Sequence, residues 1–357
     1  MTRKLLALAV AGALVAPIAA QADDSTVTLT GVVNGSIDLI KRGSDGKTKP
    51  NIGTNATRFQ IDGKEPLGNG WAAIFSLAVD QAFAGPGSIS DSAQGNSNGK
   101  NLGDLENRNS FLGLAMPFGT LRIGQTEHQY EIQQILQDPF PASENEWNAL
   151  SHMTKYAAGG GFTRRDPQSI WYTSPNWGGF ILDVAYITGN GCKDGQDEGV
   201  CGGVGGDPKG FQVAAQYTMG SLTFYTAIAR YNDHDFTGGG NDKDSAFRFG
   251  VGWASGPLKL DFSAEQLKAT GGIEAKNKNF YVAAAFNVGN GQIRAQYAKM
   301  GDDKADFGVE GGSNWGLGYG HALSKRTELF AYVGSRDRGN TDSNDVKGVS
   351  IGARHSF

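Results

Sequence analysis

The stretch VKGVSIGARHSF, Val346–Phe357, ends the chain in an alternating pattern rather than in a polar tail. Val349, Ile351 and Ala353 are apolar, and the residues between them are small or polar, a period of two that predicts a β-strand. Terminal residues usually gain little free energy from becoming ordered. A last strand that ends on the large ring of Phe357 therefore needs a neighbouring strand to pair with. The pattern predicts that this last strand pairs with the first one and closes a sheet.

The period of two recurs along the whole chain after Asp24. In the first run, Val27–Ile40, apolar side chains such as Leu29 and Val33 lie on one face and polar ones on the other. Further alternating runs occupy 247–253, 258–265 and 292–297. No segment shows a helical period of useful length. The sequence therefore predicts strands with one apolar and one polar face.

The connections between these strands alternate in length. Tight links rich in Gly, Pro and Asn lie at 65–70, 117–119, 175–179, 218–221, 254–257, 287–291 and 322–326. Long polar segments lie at 41–57, 81–109, 127–167, 189–209, 233–244, 270–277, 301–311 and 336–345. Together they separate sixteen antiparallel strands, with short links at one end and long loops at the other. This asymmetry is typical of a barrel that crosses an outer membrane, and a soluble sandwich has no reason for it.

The composition agrees with a barrel whose apolar face meets lipid. Hydrophobic residues make up 39% of the chain, below the roughly 45–50% of a globular domain. After the N-terminal segment no apolar run is long enough for a membrane helix. A polar, water-filled lumen explains the small amount of core material. Aromatic residues near the tight links predict an interfacial girdle: Trp71, Phe118, Trp177, Tyr217, Phe224 and Trp253.

The N-terminal segment differs in pattern from the rest of the chain. Residues 1–22 have a short basic region, an apolar stretch and small residues before a cleavage point, which predicts a secretory signal peptide. Residues 23–357 then form a single barrel domain. The formal net charge of −4 offers no basic excess for nucleic acid. Cys192 and Cys201 lie close together in a polar loop, where an oxidising compartment favours a local disulfide.

The chain resembles the general diffusion porins of Gram-negative outer membranes, above all those of β-proteobacteria. The resemblance rests on VTLTGVVNGSIDL, TRFQIDGKEPLGNGWAAIFSL, NRNSFLGLAMPFGTLRIGQ, SIWYTSPNWGGF and LGYGHALSKRTELFAYVGS, with the final VKGVSIGARHSF. It implies a homotrimer of sixteen-stranded barrels with short periplasmic turns and long extracellular loops, in which the third loop folds into the lumen. It also implies contact with outer-membrane lipid and lipopolysaccharide, and a last strand whose Phe357 is read by the barrel assembly machinery.

A pore for small hydrophilic solutes and ions needs a narrow, charged constriction. The third long loop is the longest and supplies the expected acidic wall: Glu127, Glu131, Asp138, Glu144 and Glu146. The expected basic wall is Arg58, Arg108 and Arg122, which match arginine positions of the family or face water by alternation. Many relatives have an arginine where this chain has Gln125, so a strong anion preference does not carry over.

Other functions have less support in the sequence. The five histidines are scattered, and no metalloprotease or serine-hydrolase motif is present, so we expect no enzyme and no cofactor. Segments 241–244 and 301–306 are rich in Asp but lack the spacing of a calcium loop. A substrate-specific channel for a sugar or an anion stays open as the alternative, because Tyr130, Phe140 and Trp147 could form an aromatic slide. A barrel enzyme or adhesin is a weaker alternative.

Overall fold

The chain closes into one antiparallel barrel of sixteen strands. The computed structural model describes residues 25–43, 46–54, 57–81, 105–127, 129–140, 155–156, 159–162, 165–189, 209–232, 243–270, 275–301, 311–337 and 345–357. The expected signal peptide, both cysteines and most of the two Asp-rich segments lie outside these residues. Each strand pairs with the next one in sequence, and the last strand pairs with the first. The predicted fold class, strand number and ring closure are therefore confirmed.

The strands are numbered in chain order. The first half comprises β1 (Thr26–Arg42), β2 in two segments (Thr48–Thr54 and Arg58–Gly68), β3 (Trp71–Gln81), β4 (Leu105–Met116), β5 (Gly119–Glu127), β6 (Arg165–Thr173), β7 (Phe180–Ile187) and β8 (Lys209–Met219). The second half comprises β9 (Leu222–Asn232), β10 (Lys243–Ser255), β11 (Leu258–Thr270), β12 (Ala275–Val288), β13 (Gly291–Met300), β14 (Ser313–Ala322), β15 (Thr327–Asp337) and β16 (Val346–Ser356). A helix, α1 (Gln129–Gln137), and a small hairpin, Lys155–Tyr156 with Gly159–Gly161, lie between β5 and β6.

The seam between β1 and β16 closes the ring in register. Ile37 lies opposite Ile351, and the pairing continues to the last residue, where Gly31 and Phe357 exchange backbone hydrogen bonds of 3.1 and 3.0 Å. The ring of Phe357 covers Gly31 so closely that a Cβ atom there would lie 2.3 Å from its Cζ atom. The terminal phenylalanine therefore faces outward and packs on a position that requires glycine.

The first predicted loop, 41–57, is wrong in its extent. Its residues Thr48–Thr54 form the first segment of β2 and pair with β1 from Gly35 to Lys41. The strand is then interrupted, and the hydroxyl of Thr57 both accepts from Asn34 N and donates to Asn34 O, each at 3.0 Å. This segment is polar and lacks alternation, so its strand character comes from backbone pairing rather than from side-chain pattern.

The two faces of the barrel differ as the alternation predicts. Outward positions carry exposed apolar side chains, for example Ile37 at 65% and Ile351 at 66% exposure. Inward positions on the same strands carry buried polar side chains such as Asn34 and Asp38. In the described part of the chain, no helix is long and apolar enough to span a membrane.

The seven short links occur at the predicted places and lie at one end of the barrel. In the first of them, Gly68, Asn69 and Gly70 all adopt positive φ, which suits glycine and asparagine in a tight turn. Trp71 beyond it meets the edge of Phe118 from the next link at a centroid distance of 5.7 Å. Two side chains of the predicted aromatic girdle, Trp71 and Phe118, thus contact each other across neighbouring links.

The helix α1 was not expected from the sequence. Its nine residues are too short for a clear helical period, and Tyr130, Ile135 and Leu136 do not form one apolar stripe. Polar contacts with strands that are distant in the sequence hold the helix in place. Such contacts do not produce a local sequence pattern.

Candidate functional site

Helix α1 crosses from the β5 side of the barrel to the polar faces of strands that follow much later in the chain. Gln133 donates from Nε2 to the backbone oxygens of Ala215 on β8 and Thr226 on β9, at 3.0 and 3.2 Å. At the other end of the helix, Ser263 of β11 donates to Oε1 of Gln137 at 2.9 Å. The helix is therefore attached along its length to the inward side of β8–β11.

The last turn of α1 receives two further donors from the barrel. Lys259 Nζ lies 2.7 Å from the carbonyl oxygen of Leu136, and the hydroxyl of Tyr281 donates to the carbonyl of Gln137 at 3.3 Å. The final carbonyls of a helix lack partners within the helix, so these donors satisfy groups that would otherwise need water. Gly250 lies beneath, where a Cβ atom would come within 2.8 Å of Gln137 Nε2.

A buried ion pair holds the first turn of α1. Arg248 and Glu265 lie directly opposite on β10 and β11, and Nη2 is 2.7 Å and Nε 3.0 Å from Oε2 of the carboxylate. The hydroxyl of Tyr130 donates to the same oxygen, while Arg248 Nη1 donates to the Tyr130 carbonyl at 2.9 Å. The guanidinium also lies 4.4 Å from the centre of the Tyr130 ring. All three side chains are inaccessible to solvent.

The segment after α1 packs on the opposite half of the barrel. Asp138 accepts a hydrogen bond from the backbone N–H of Phe140 at 2.8 Å, which fixes the turn that follows the helix. The buried ring of Phe140 then meets Tyr332 of β15 at 5.0 Å, and Tyr332 stacks on Phe330 at 4.7 Å. The described part of the third loop therefore contacts strands from β8 to β12 as well as β15.

A second ion pair lies beside this aromatic group. Arg294 of β13 contacts both carboxylate oxygens of Glu328 on β15, at 2.9 and 2.6 Å, and also donates to the hydroxyl of Tyr332 at 2.7 Å. Two parallel N–H to O contacts fix the planes of the two groups as well as their distance. The pair bridges two strands that are not neighbours.

Strand β14 makes this bridge possible, because after Asn314 its inward face carries glycine at three successive positions, Gly316, Gly318 and Gly320. A Cβ atom on Gly320 would lie 2.8 Å from Cδ of Glu328 and 2.9 Å from Cζ of Arg294. The side chains of β13 and β15 therefore meet over the bare backbone of β14. In NWGLGYGH the alternation of glycine with large residues is the sequence pattern that corresponds to this gap.

Arg122 lies on the wall formed by β4–β7. Its guanidinium is 5.4 Å from the ring centre of Phe111 and 5.8 Å from that of Trp171, and its Nη1 donates to Thr173 Oγ1 at 3.0 Å. Thr173 in turn donates to Asp183 at 2.6 Å. An arginine held on aromatic faces keeps its charge and loses freedom of movement.

The predicted acidic residues are only partly within the described residues. Glu131 is in α1 with 6% exposure, and Asp138 follows the helix and is partly exposed. Glu127 ends β5, where its backbone lies opposite Arg165 of β6. Glu144 and Glu146 lie outside the described residues. Among the carboxylates that can be located, Asp138 is therefore the more accessible one.

The predicted basic residues are spread over three strands. Arg58 begins the second segment of β2 and is half-buried on the inward side, as its alternation with Phe59 indicates. Arg122 also faces inward. Arg108 lies in β4 next to a register shift between β3 and β4, and its side chain is outside the described residues.

The aromatic side chains that suggested a sugar slide do not line an open surface. Tyr130 and Phe140 both have 0% exposure, because they pack against the barrel wall. Trp147 lies outside the described residues. Two of the three rings are therefore unable to contact a passing sugar.

Sequence reasoning missed the ion pairs that involve Arg248 and Arg294. Alternation does put both arginines on the polar face of their strands. Their partners Glu265 and Glu328 depend on strand register and on the glycine face of β14, which become clear only when the strands are paired.

Comparison with known proteins agrees with this architecture. The model of the Gram-negative porin family matches residues 7–355. The chain is 28% identical over 386 residues to outer membrane porin protein 32 of Delftia acidovorans, with 100% of both proteins covered. It is 26% identical over 388 residues to major outer membrane protein P.IA of Neisseria meningitidis serogroup C, covering 95% of this chain and 91% of the relative.

Solved structures show the same fold. The anion-selective porin from Comamonas acidovorans has a TM-score of 0.73 at 24% identity and covers 94% of this chain and 100% of its own. The trimer form of OmpT from Vibrio cholerae has a TM-score of 0.67 at 14% identity, covering 93% and 99% respectively.

Proposed function

Because this chain belongs to the Gram-negative porin family, we propose that it is a general diffusion channel whose lumen is narrowed by its third long loop. It is a β-barrel of the outer membrane and forms a passive channel, not an enzyme. The proposed cargo is small hydrophilic solutes and ions. A substrate-specific channel has less support, since Tyr130 and Phe140 are buried against the wall.

The attachment of α1 to the inward side of β8–β11 carries the proposal. A loop that leaves β5 and contacts β8–β15 passes across the space that the barrel encloses. Its position depends on buried contacts of Arg248 and Glu265 rather than on surface packing. We infer that this attachment keeps the aperture at a fixed size, because a loop held at both ends resists displacement.

Charges at the aperture give the channel a transverse field. Asp138 on the loop side is partly exposed, and Arg58 and Arg122 lie on the inward side of β2 and β5. Fixed charges on opposite walls orient dipolar solutes and disfavour apolar ones. Because both signs are present, we propose weak rather than strong ion selectivity.

The proposal includes how the protein reaches its site. Residues 1–22 act as a signal peptide and are removed, and Cys192 and Cys201 form a local disulfide in the periplasm or outside. The barrel assembles as a homotrimer in lipid and lipopolysaccharide, in line with the trimer form of the Vibrio cholerae protein. The barrel assembly machinery recognises the last strand through Phe357.

Swelling of liposomes that contain the refolded protein tests the permeation. Vesicles loaded with an impermeant polymer are diluted into isotonic solutions of sugars of increasing size. We expect fast swelling with small sugars of any stereochemistry and a steep fall with solute size. Saturation with one sugar only, or no swelling from a folded barrel, would refute general diffusion.

A further inference from the structure

The last strand carries one cation on its inward face. Arg354 of β16 shares this face with the buried Ser350, whereas Ile351 and His355 alternate with them and are exposed on the outer face. Arg354 itself is partly exposed. Because the inward face borders the lumen, Arg354 presents a positive charge to the lumen beside the seam of the barrel. It does not belong to the basic wall that the sequence predicted.

The carboxylate nearest to Arg354 in the strand register already has a partner. Glu328 of β15 lies directly opposite Arg354. It pairs instead with Arg294, which contacts both of its carboxylate oxygens, and no ion pair joins it to Arg354. A bidentate arginine compensates the charge of a carboxylate. Arg354 is therefore a second cation beside a carboxylate that is already neutralised.

The rest of the wall around Arg354 offers no counter-charge. Within the described residues, Glu328 is the only carboxylate among the inward side chains within two positions of Arg354 or of its strand partners. The other inward residues are Phe330 of β15, Gly352 and Ser356 of β16, and Val32, Asn34 and Ser36 of β1. Nε of Arg354 is buried and has no hydrogen-bond partner within this part of the chain. The charge of Arg354 therefore acts on the lumen without a fixed counter-charge.

Arg354 extends the predicted basic wall across the seam. It lies opposite Asn34 of β1, and Arg58 of β2 lies opposite Val32, the next inward residue of β1. Neighbouring strands are about 4.8 Å apart, and successive residues on one face of a strand are about 7 Å apart. The Cα atoms of the two arginines are therefore separated by about 12 Å. Their charges act on the same stretch of the lumen.

The position of Arg354 along the pore follows from the contact between the third loop and the wall. The loop meets the wall where Phe140 packs on Tyr332. Ser350 lies opposite Tyr332, and Arg354 is four residues further along β16, which is about 13 Å towards the short links. A solute that has crossed the third loop therefore passes the level of Arg354 before it leaves the barrel at the short-link end.

We propose that Arg354 is a selectivity residue for small anions on the short-link side of the third loop. This inference rests on the proposed function as a channel. The guanidinium stays charged, and its planar set of donors matches carboxylate and phosphate groups as well as it attracts chloride. The residue acts by its charge on passing ions and does not narrow the pore. The last strand thus contributes to permeation through its inward face.

Three variants of the same strand test the proposal. Arg354→Gln removes the charge, and Arg354→Lys keeps it. Lys347→Gln is the matched control, because it removes one cation from an exposed position on the outer face of β16. The refolded full-length proteins are compared in planar bilayers under a potassium chloride gradient near 0.1 M and again near 1 M. Heat-modifiable migration verifies that each protein is folded.

We expect Arg354→Gln to lower the permeability ratio of chloride to potassium about two-fold near 0.1 M. A unit charge about 5 Å from a passing ion, partly screened at this salt concentration, has an effect of that size. The difference disappears near 1 M, where the screening length falls to about 3 Å. Arg354→Lys and Lys347→Gln keep the wild-type ratio.

Several results would overturn the proposal. They are an unchanged ratio in Arg354→Gln beside a conducting wild type, an equal shift in Lys347→Gln, and a shift that persists near 1 M. Failure of Arg354→Gln to refold would also overturn it, because it would assign Arg354 a structural role in the wall. A folded wild-type barrel without conductance would instead refute the proposed function as a channel.

Discussion

Arg248 and Glu265 face each other across β10 and β11 with Nη2 2.7 Å from Oε2, and both side chains are completely buried. Contacts with this pair hold Tyr130 and the first turn of α1 in place. Removing one partner from a buried pair leaves an uncompensated charge, which costs far more than the pair contributes when it is intact.

Replacing Glu265 tests the role of this pair. Glu265→Gln keeps the shape but leaves the guanidinium of Arg248 without its counter-charge, so we expect a loss of about 3 kcal/mol in the free energy of unfolding. We also expect noisy or enlarged conductance as α1 detaches. Tyr130→Phe removes one hydrogen bond to the Glu265 carboxylate and should cost about 2 kcal/mol. Gln266→Ala on the outward face is the control, and a quiet Glu265→Gln channel of wild-type size would contradict this role.

The glycine face of β14 leads to a second prediction. Gly320→Ala puts a methyl group within 3 Å of both partners of the Arg294–Glu328 pair. Because the two groups are held by parallel contacts, one of them must move, and we expect a loss of about 1–3 kcal/mol in unfolding free energy. Ala295→Val adds a larger group on the outward side of β13 and serves as the control. Urea unfolding in detergent micelles compares the two, and equal stability of Gly320→Ala and wild type would show that the bridge is not needed.

Arg122 is predicted to favour anions in the pore. A unit charge about 8 Å from a passing ion changes its free energy by roughly 0.5 kcal/mol in water, a factor of about two in permeability. We therefore expect Arg122→Gln to shift the reversal potential in a salt gradient towards cation preference by that factor. Arg122→Lys should keep the wild-type value, and so should Arg326→Gln in an exposed turn. An unchanged reversal potential in Arg122→Gln would exclude Arg122 from the aperture.

Replacing Phe357 distinguishes the contribution of its ring to packing from its proposed role in recognition. Its ring is 44% exposed, so Phe357→Ala should cost only about 1 kcal/mol of stability when the purified protein refolds. In cells we expect a several-fold fall in folded protein in the outer membrane, because the variant lacks the proposed assembly signal. Phe286→Ala, at an outward position of equal exposure, is the matched control. Equal yields of the two variants in cells would remove the special role of Phe357.

The alternation of residues and the lengths of the links were sufficient to predict the barrel. Both depend on local sequence, and a period of two fixes the face of Val349 or Arg122 without knowledge of the partner strand. The first segment of β2 was missed because Thr48–Thr54 has no alternating pattern and is recognised as a strand by its pairing with β1.

Less of the candidate site than of the barrel could be predicted from the sequence. Arg58 and Arg122 were assigned to the inward face by alternation. The contact of Arg248 with Glu265 depends on the register of β10 and β11, and its contact with Tyr130, 118 residues away in the chain, depends on the path of α1. Such contacts do not produce a periodic pattern in the sequence.

Single-channel conductance of the wild-type protein in a planar bilayer is the most direct test of the channel and its constriction. We predict large ohmic steps, grouped in threes, with a small reversal potential in a salt gradient and greater noise when Glu265 is replaced by glutamine. A heat-modifiable, folded barrel that gives no conductance would contradict the proposed function as a channel.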